Sequence, residues 1–147
     1  MMTLGPFRRR RAERLGILAE YPLFERCSRR DLEMLDSLSV IIRALPGEML
    51  VREDELVGRE VFIVVEGWAE VSRVGRRVAI LGPGRVFGEL TVLNESPCDA
   101  TVVAKSPMEL LTLGPSELRR VLDEVPCLAH GLLSMRATSL HAGALAP

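Results

Sequence analysis

From Val40 onward, the chain consists of short segments in which apolar and polar residues alternate. A period of two is typical of β-strands, because successive side chains point to opposite faces of a sheet. Glycine and proline turns separate these segments. The pattern predicts seven strands: 40–45, 49–52, 60–65, 68–74, 77–81, 100–105 and 109–113. Many short strands at near-regular spacing predict an antiparallel sandwich or jelly-roll barrel of about eight strands.

Helical periods flank the strand region on its N-terminal side. A short helix is predicted over about 12–19, and a second helix opens at Ser28 and reaches about Ser39. Ser28 followed by Asp31 is a variant capping box, and Cys27 with Leu32 fits a hydrophobic staple across the same helix start. This interpretation gives Cys27 a structural role.

Two helices are predicted after the strands. Ser116 can cap the first of them, and Pro126 starts or kinks the last. Leu128, Leu132, Met135 and Ser139 share one face of that last helix. Two interpretations stay open for it, a homodimer seam through residues 127–141 or a helix that folds back over its own barrel.

Composition narrows the class of protein. The 147 residues are 48% hydrophobic with a net charge of −1, which suits one domain with a proper core. We divide it into a basic, flexible N-terminus (1–11), a barrel with flanking helices (12–126) and a C-terminal helix with its tail (127–147). Neither a signal peptide nor a membrane span is expected, so we predict a cytoplasmic protein with no membrane partner.

The three cysteines are odd in number and lack C-x-x-C spacing. This pattern predicts reduced thiols and disfavours a disulfide framework or a structural zinc site. The strands contain no histidine, and His130 and His141 lie too far apart along a helix to share a metal. No nucleophile elbow, zincin pattern or P-loop is present. We therefore expect neither a catalytic residue nor a metal site.

Arginines cluster between Arg8 and Arg14. They could contact phosphates of nucleic acid, or they could simply solvate the start of the first helix. With no helix-turn-helix module after the barrel, we do not expect nucleic acid to be the partner.

The most informative stretch is Leu81 to Val103. Gly88 allows a bound group to come close to the backbone, and the first amides of a short helix predicted over 89–94 would form an anion cradle. Glu89 faces that cradle, where a carboxylate is unfavourable unless hydroxyls donate hydrogen bonds to it, as those of a ribose would.

These residues resemble a known family. Phe87-Gly88-Glu89-Leu90, Pro97 and Ala100-Thr101-Val102 resemble the phosphate-binding cassette of the cyclic-nucleotide-binding domain family, found in catabolite-activator-type regulators and kinase regulatory subunits. The resemblance spans roughly residues 18 to 130. Further matches occur in the family's order: Tyr21-Pro22-Leu23-Phe24, Ser28, Pro46-Gly47-Glu48, Arg52-Glu53, the strand ending at Gly67, and Gly82-Pro83-Gly84.

The resemblance implies a double-stranded β-helix barrel of the cyclic-nucleotide-binding type and a set of ligand-binding positions. Those positions are Phe87, Gly88, Glu89, Leu90, Cys98, Asp99, Ala100 and Thr101. In the family an arginine holds the cyclic phosphate and a small residue follows it, whereas this chain has Cys98 and Asp99 there. Losing one partner of a buried charge pair costs about 2–5 kcal/mol. That is very roughly a thirty- to several-thousandfold loss of affinity.

The sequence therefore predicts a non-enzymatic sensor whose binding of cyclic AMP or cyclic GMP is weak or lost, acting on a protein effector that the sequence does not identify. An alternative is a ligand-free adaptor or dimerisation module. Cys98 is either a neutral filler of the arginine's space or a redox sensor. The turn at Glu53-Asp54-Glu55 lacks the family's glycine, which predicts a changed turn geometry.

Overall fold

The computed structural model describes residues 10–55, 60–88 and 100–132. Glu89, Leu90, Cys98 and Asp99, the helix predicted over 89–94, and the positions Met135 and Ser139 lie outside the described residues. The helices are α1 (Arg11–Leu18), a 3-10 turn (Pro22–Phe24), α2 (Arg29–Leu38), α3 (Pro115–Glu124) and the described part of α4 (126–132). The strands are β1 (Val40–Ala44), β2 (Met49–Val51), β3 (Val61–Glu66), β4 (Ala69–Arg73), β5 (Arg76–Leu81), β6 (Val86–Phe87), β7 (Thr101–Ala104) and β8 (Met108–Leu113).

These strands form two antiparallel sheets with the orders β1-β8-β3-β6 and β2-β7-β4-β5. All seven predicted strands are present, and the predicted class, mainly β with flanking helices, is confirmed. The strand missing from the prediction is β6, which pairs with β3 at Phe62 and Ile63. Two residues are too few to show an alternating pattern.

The first sheet is covered on both of its faces. Along β3, Phe62 and Val64 belong to the apolar core between the two sheets, whereas Val61, Ile63 and Val65 belong to a second core under the helices. Every residue of β8 is buried for the same reason. This explains why β3 and β8 read as apolar runs, since a strand buried on both faces has no polar side to show.

Ser28 caps α2 as predicted. Its hydroxyl accepts a hydrogen bond from the Asp31 amide at 3.1 Å, and the Asp31 carboxylate accepts one from the Ser28 amide at 2.9 Å. Cys27 packs against the core under the helices, but its sulfur is also bonded to Cys127 in a disulfide, so the prediction of a reduced thiol is wrong for it. The sequence could not show this pair, whose members are 100 residues apart.

The arginine cluster is partly internal to the domain. Arg14 is buried and binds Asp36 of α2 through two hydrogen bonds, Nε to Oδ1 at 2.7 Å and Nη2 to Oδ2 at 3.0 Å. Its third nitrogen lies 3.6 Å from Glu109 of β8, and Arg11 also contacts Asp36, at 3.1 Å. Both predicted roles are therefore wrong for Arg14, which neither solvates a helix start nor faces a phosphate. A run of arginines says nothing about acidic partners that lie elsewhere in the fold.

The start of α3 also corrects the sequence analysis. Gly114 is the N-cap and Pro115 is the first helical residue, so Ser116 lies inside the helix and does not cap it. Proline suits that first position because its missing N–H has no partner there in any helix. The Ser116 hydroxyl donates instead to the Glu117 carboxylate, at 3.1 Å.

The described part of α4 folds back over its own domain. Leu128 and Leu132 are buried in the core that underlies the helices. Gly131 lies so close to the 3-10 turn that an added Cβ would overlap the carbonyl oxygen of Leu23. For residues 126–132, the fold-back interpretation is the one that the structure supports. No helix in the described ranges is long and apolar enough to cross a membrane.

Candidate ligand-binding site

The cassette positions are framed by two strands that belong to different sheets. β6 ends at Phe87 on the edge of the first sheet, and β7 begins at Thr101 inside the second sheet. Residues 89–99 therefore connect one sheet to the other. Both anchoring ends of this connection, Gly88 and Ala100, lie in described structure.

The backbone conformation and the close packing at position 88 both require a glycine. Its φ is +89°, in the left-handed region that side chains disfavour, and an added Cβ would overlap the carbonyl oxygen of Glu60. The glycine predicted to permit a close approach is thus required by the protein's own packing.

Phe87 faces the core between the sheets. Its ring stacks on Phe62 with a centroid separation of 4.7 Å and an interplanar angle of 9°. Both rings are buried in this core. Aromatic pairs at such a separation stabilise packing by about 0.5–1.5 kcal/mol beyond their buried area. The described contacts of Phe87 are therefore contacts with the core.

At the other end of the cassette, Ala100 is buried and Thr101 is half-buried. The Thr101 hydroxyl oxygen accepts a hydrogen bond from the Glu53 amide at 3.1 Å. The Glu53 carboxylate in turn accepts the Val74 amide, at 3.1 and 3.3 Å. Thr101 thus ties the start of β7 to the turn after β2 and, through Glu53, to the β4–β5 hairpin. Sequence reasoning missed this link because its members lie far apart in the chain.

The turn at Glu53-Asp54-Glu55 has an aspartate where the family has a glycine. Asp54 adopts a φ of +69°, the region that glycine favours, and so takes the turn conformation itself. Aspartate tolerates this region better than most residues because its short side chain can bond locally. Val74, which donates to Glu53, also has a positive φ, of +49°. A β-branched residue is rare there, so the Glu53 hydrogen bonds help to hold a strained hairpin.

Two ionisable groups in the described residues have clearly shifted pKa values. The hydrogen bond with Asp36 raises the pKa of Arg14, against the opposing effect of burial. The Leu45 amide, 2.9 Å from the Glu48 carboxylate, lowers the pKa of Glu48. Neither residue belongs to the cassette.

A separate cavity of about 470 Å³ lies on the helical side of the domain. Residues of the 3-10 turn, of the turn before β6 and of the start of α4 line it. Its polar lining includes Glu25, Arg26, Arg85 and His130, and Cys127 forms part of its wall. The cavity is therefore distinct from the space between the two sheets.

The Cys27–Cys127 disulfide corrects the prediction of reduced thiols. Its Cα atoms are 5.3 Å apart, within the usual range for a disulfide. One Asp31 carboxylate oxygen and the two sulfurs lie within 4.8 Å of one another, a grouping that could attract a metal ion. Because metals bind thiolates, sulfurs joined to each other are not available as ligands.

Comparison with known proteins identifies the class. The sequence profile described as "Cyclic nucleotide-binding domain" matches residues 41–125. The chain belongs to the cyclic nucleotide-binding domain family, as its motifs predict. The matched span runs from β1 to the end of α3 and includes the cassette.

Individual relatives agree with this assignment. The chain is 33% identical over 112 residues to a cAMP-dependent protein kinase regulatory subunit of Yarrowia lipolytica, covering 75% of this chain and 30% of that protein. It is 29% identical over 126 residues to the cyclic AMP receptor protein of Thermus thermophilus, covering 81% of this chain and 57% of that protein. The crystal structure of the Thermus thermophilus catabolite activator protein superposes with a TM-score of 0.75 and 28% identity, over 84% of this chain and 60% of that chain. The chain thus spans from about a third to somewhat over half of these relatives.

Proposed function

We propose that this domain is a regulatory sensor with a small-molecule site around Gly88, Glu89 and Thr101, whose affinity for cyclic AMP and cyclic GMP is weak or lost. Family membership supports the sensor role, and two named relatives are a cAMP-dependent regulatory subunit and a cyclic AMP receptor. The protein would act in the cytoplasm and without catalysis.

The observation that carries the proposal is the pair Cys98-Asp99, where the family has an arginine followed by a small residue. A guanidinium binds a phosphate through two parallel, charge-assisted hydrogen bonds, which a thiol cannot replace. Asp99 adds a negative charge beside the place of the phosphate. Backbone amides and Glu89 would be left to hold the ligand, and the affinity for an anionic ligand falls accordingly.

A set of contacts runs from the turn before β6, the strand that leads into the cassette, to the C-terminal helix. The turn before β6 packs on Tyr21, since a methyl group at Gly84 would lie 3.0 Å from the ring. The Tyr21 hydroxyl donates to the Val65 carbonyl at 2.7 Å, and the adjacent 3-10 turn contacts Gly131 of α4 through Leu23. We propose that a ligand at the cassette shifts α4 through these contacts and that the surface so altered meets a dimer mate along 127–141 or a separate effector.

Isothermal titration calorimetry with cyclic AMP and cyclic GMP tests the proposal. We expect no saturable binding, or dissociation constants about thirty- to several-thousandfold above those of the Cys98→Arg, Asp99→Ala double variant. Asp99→Ala alone is the matched control, because it removes the negative charge without supplying a guanidinium. Tight binding by the unaltered protein would refute the weakened site.

If the double variant also fails to bind either nucleotide, the sensor proposal fails and the adaptor alternative takes its place. Arginines that could serve a nucleic-acid role are fewer than the sequence implies, because Arg14 and Arg11 are paired with Asp36. Salt-independent or undetectable association with duplex DNA would exclude that role.

A further inference from the structure

The disulfide joins two parts of the domain that are otherwise only packed together. Cys27 precedes the cap of α2, and Cys127 lies in the first turn of α4. Leu128, Leu132 and Gly131 hold α4 in place by packing, without help from the sulfurs. Breaking the S–S bond would therefore leave the helix docked but remove its covalent tie.

Cys127 is also reachable from solvent. It forms part of the wall of the 470 Å³ cavity, a volume typical of small-molecule sites. Arg26 and Arg85 approach the same cavity from the N-terminal helices and from the turn before β6, and His130 lies one turn after Cys127. Glu25 is the acidic residue of this lining. The balance of charge in the lining favours an anionic molecule.

The reduced state has a hydrogen-bond partner already in position. Asp31 Oδ2 lies 3.4 Å from the Cys127 sulfur, within reach of a thiol proton. The same carboxylate accepts the Ser28 amide in the cap of α2, so it is held in place in either state. Cys127 would thus donate a hydrogen bond to Asp31 when it is reduced, and it is bonded to Cys27 when it is oxidised.

From these features we propose that the cavity is the docking site for an anionic low-molecular-weight disulfide, which exchanges with Cys127 and so locks or releases α4. The Cys127 thiolate attacks one sulfur of the bound disulfide, whose S–S bond breaks and expels one thiolate. The Cys27 thiolate then attacks Cys127, forms the intramolecular bond and expels the second thiolate. Two electrons pass from the cysteine pair to the small disulfide, and the two cysteine protons go to the departing thiolates. Excess small thiol reverses the exchange.

Redox titration of the whole chain tests the lock. The protein is equilibrated in glutathione buffers of graded ratio, quenched with acid, alkylated and weighed by mass spectrometry. We expect a reversible loss of two alkylation sites in the unaltered protein and in Cys98→Ser. Cys27→Ser should lose one site, as the mixed disulfide of Cys127 with glutathione, and Cys127→Ser should lose none. A pair that stays bonded at every ratio, or never bonds, would overturn the proposal.

Hydrogen exchange measures the consequence for α4. Amides of residues 127–132 should exchange on the order of tenfold faster, or more, in the reduced protein, with Cys98→Ser behaving like the unaltered chain. Equal exchange in the two states would show that the bond does not restrain the helix, and the proposal would fail. The measurement uses no nucleotide, so its outcome is independent of the proposed sensor function.

The rate of oxidation by charged and uncharged disulfides tests whether the charge of the cavity promotes docking. Arg85→Ala should slow oxidation by glutathione disulfide roughly twofold to tenfold, while leaving oxidation by the uncharged hydroxyethyl disulfide unchanged. Arg119→Ala on the exposed side of α3 is the matched control and should alter neither rate. An equal effect of Arg85→Ala on both reagents would refute docking by charge.

Discussion

The buried ion pair between Arg14 and Asp36 provides a sharp test of what holds the helices to the sheet. Both side chains are almost fully buried, at 8% and 7% exposure, and their closest nitrogen–oxygen distance is 2.7 Å. Replacing Arg14 with methionine keeps much of the packing volume but leaves two buried carboxylates, Asp36 and Glu109, without this partner. Removing one member of a buried pair typically costs about 3–5 kcal/mol.

The effect should be asymmetric. Asp36→Asn leaves one buried charge, Arg14, which is still beside Glu109 at 3.6 Å. Arg14→Met leaves two buried carboxylates, although Asp36 keeps the half-exposed Arg11 and Glu109 keeps Arg43 at 3.9 Å. We therefore expect Asp36→Asn to fall in the lower half of that range and Arg14→Met in the upper half. For a chain of this length, Arg14→Met would lower the melting temperature by about 8–20 °C.

The domain supplies its own control. Arg120 and Glu124 on α3 have the same 2.7 Å separation, but their side chains are 61% and 42% exposed. Urea denaturation should give less than about 1 kcal/mol for Arg120→Met, since exposed pairs contribute little. If Arg14→Met destabilises the protein no more than Arg120→Met does, burial is not what gives the internal pair its importance.

Three further outcomes follow from described contacts. Reduction of the disulfide, or Cys127→Ser, should lower the free energy of unfolding by up to about 4.7 kcal/mol, the chain-entropy value for a closed loop of about 100 residues, as denaturant titration with and without reductant would show. Gly88→Ala should lower the free energy of unfolding more than Gly75→Ala does. Both positions have a positive φ, but only at Gly88 would the added methyl group also overlap a backbone carbonyl oxygen, that of Glu60. Equal decreases in melting temperature for the two variants would contradict this. The hydrogen bond from the Leu45 amide lowers the pKa of Glu48 in the folded protein. Its contribution to the free energy of unfolding is therefore present above the ordinary pKa of 4.5 and is lost as the pH falls through the pKa of the folded state. Glu48→Gln should flatten this part of the pH–stability curve.

The strands were largely readable from the sequence because each carries its own signal. Val40–Ala44 and Ala69–Arg73 are marked by composition, spacing and the turns around them, and the capping box at Ser28 is a local pattern of four residues. Such features depend on neighbours in the chain. They were therefore predicted without knowledge of the fold.

The errors concern residues whose partners are remote. Arg14 looks like one more solvated arginine until α1 is placed against Asp36, 22 residues away. Cys27 and Cys127 meet only when α4 folds back on the domain. The link from Thr101 to Glu53 likewise joins residues 48 positions apart. For the candidate site, the sequence predicted that Gly88 permits the approach of a bound group, whereas the structure shows the protein's own Glu60 carbonyl oxygen against it. The role of Thr101 in joining a turn and a hairpin emerged only from the fold.

The strand order has a consequence for how this protein is made. In each sheet a late strand lies between earlier ones, β8 between β1 and β3, and β7 between β2 and β4. A ribosome that has produced only the first hundred residues has therefore released β1 and β2 without the neighbours that they pair with in the finished sheets. Their open edges are available to other chains during that interval. Slower, cooler expression or chaperone capture should raise the yield of folded protein, and fragments that stop before β7 should aggregate.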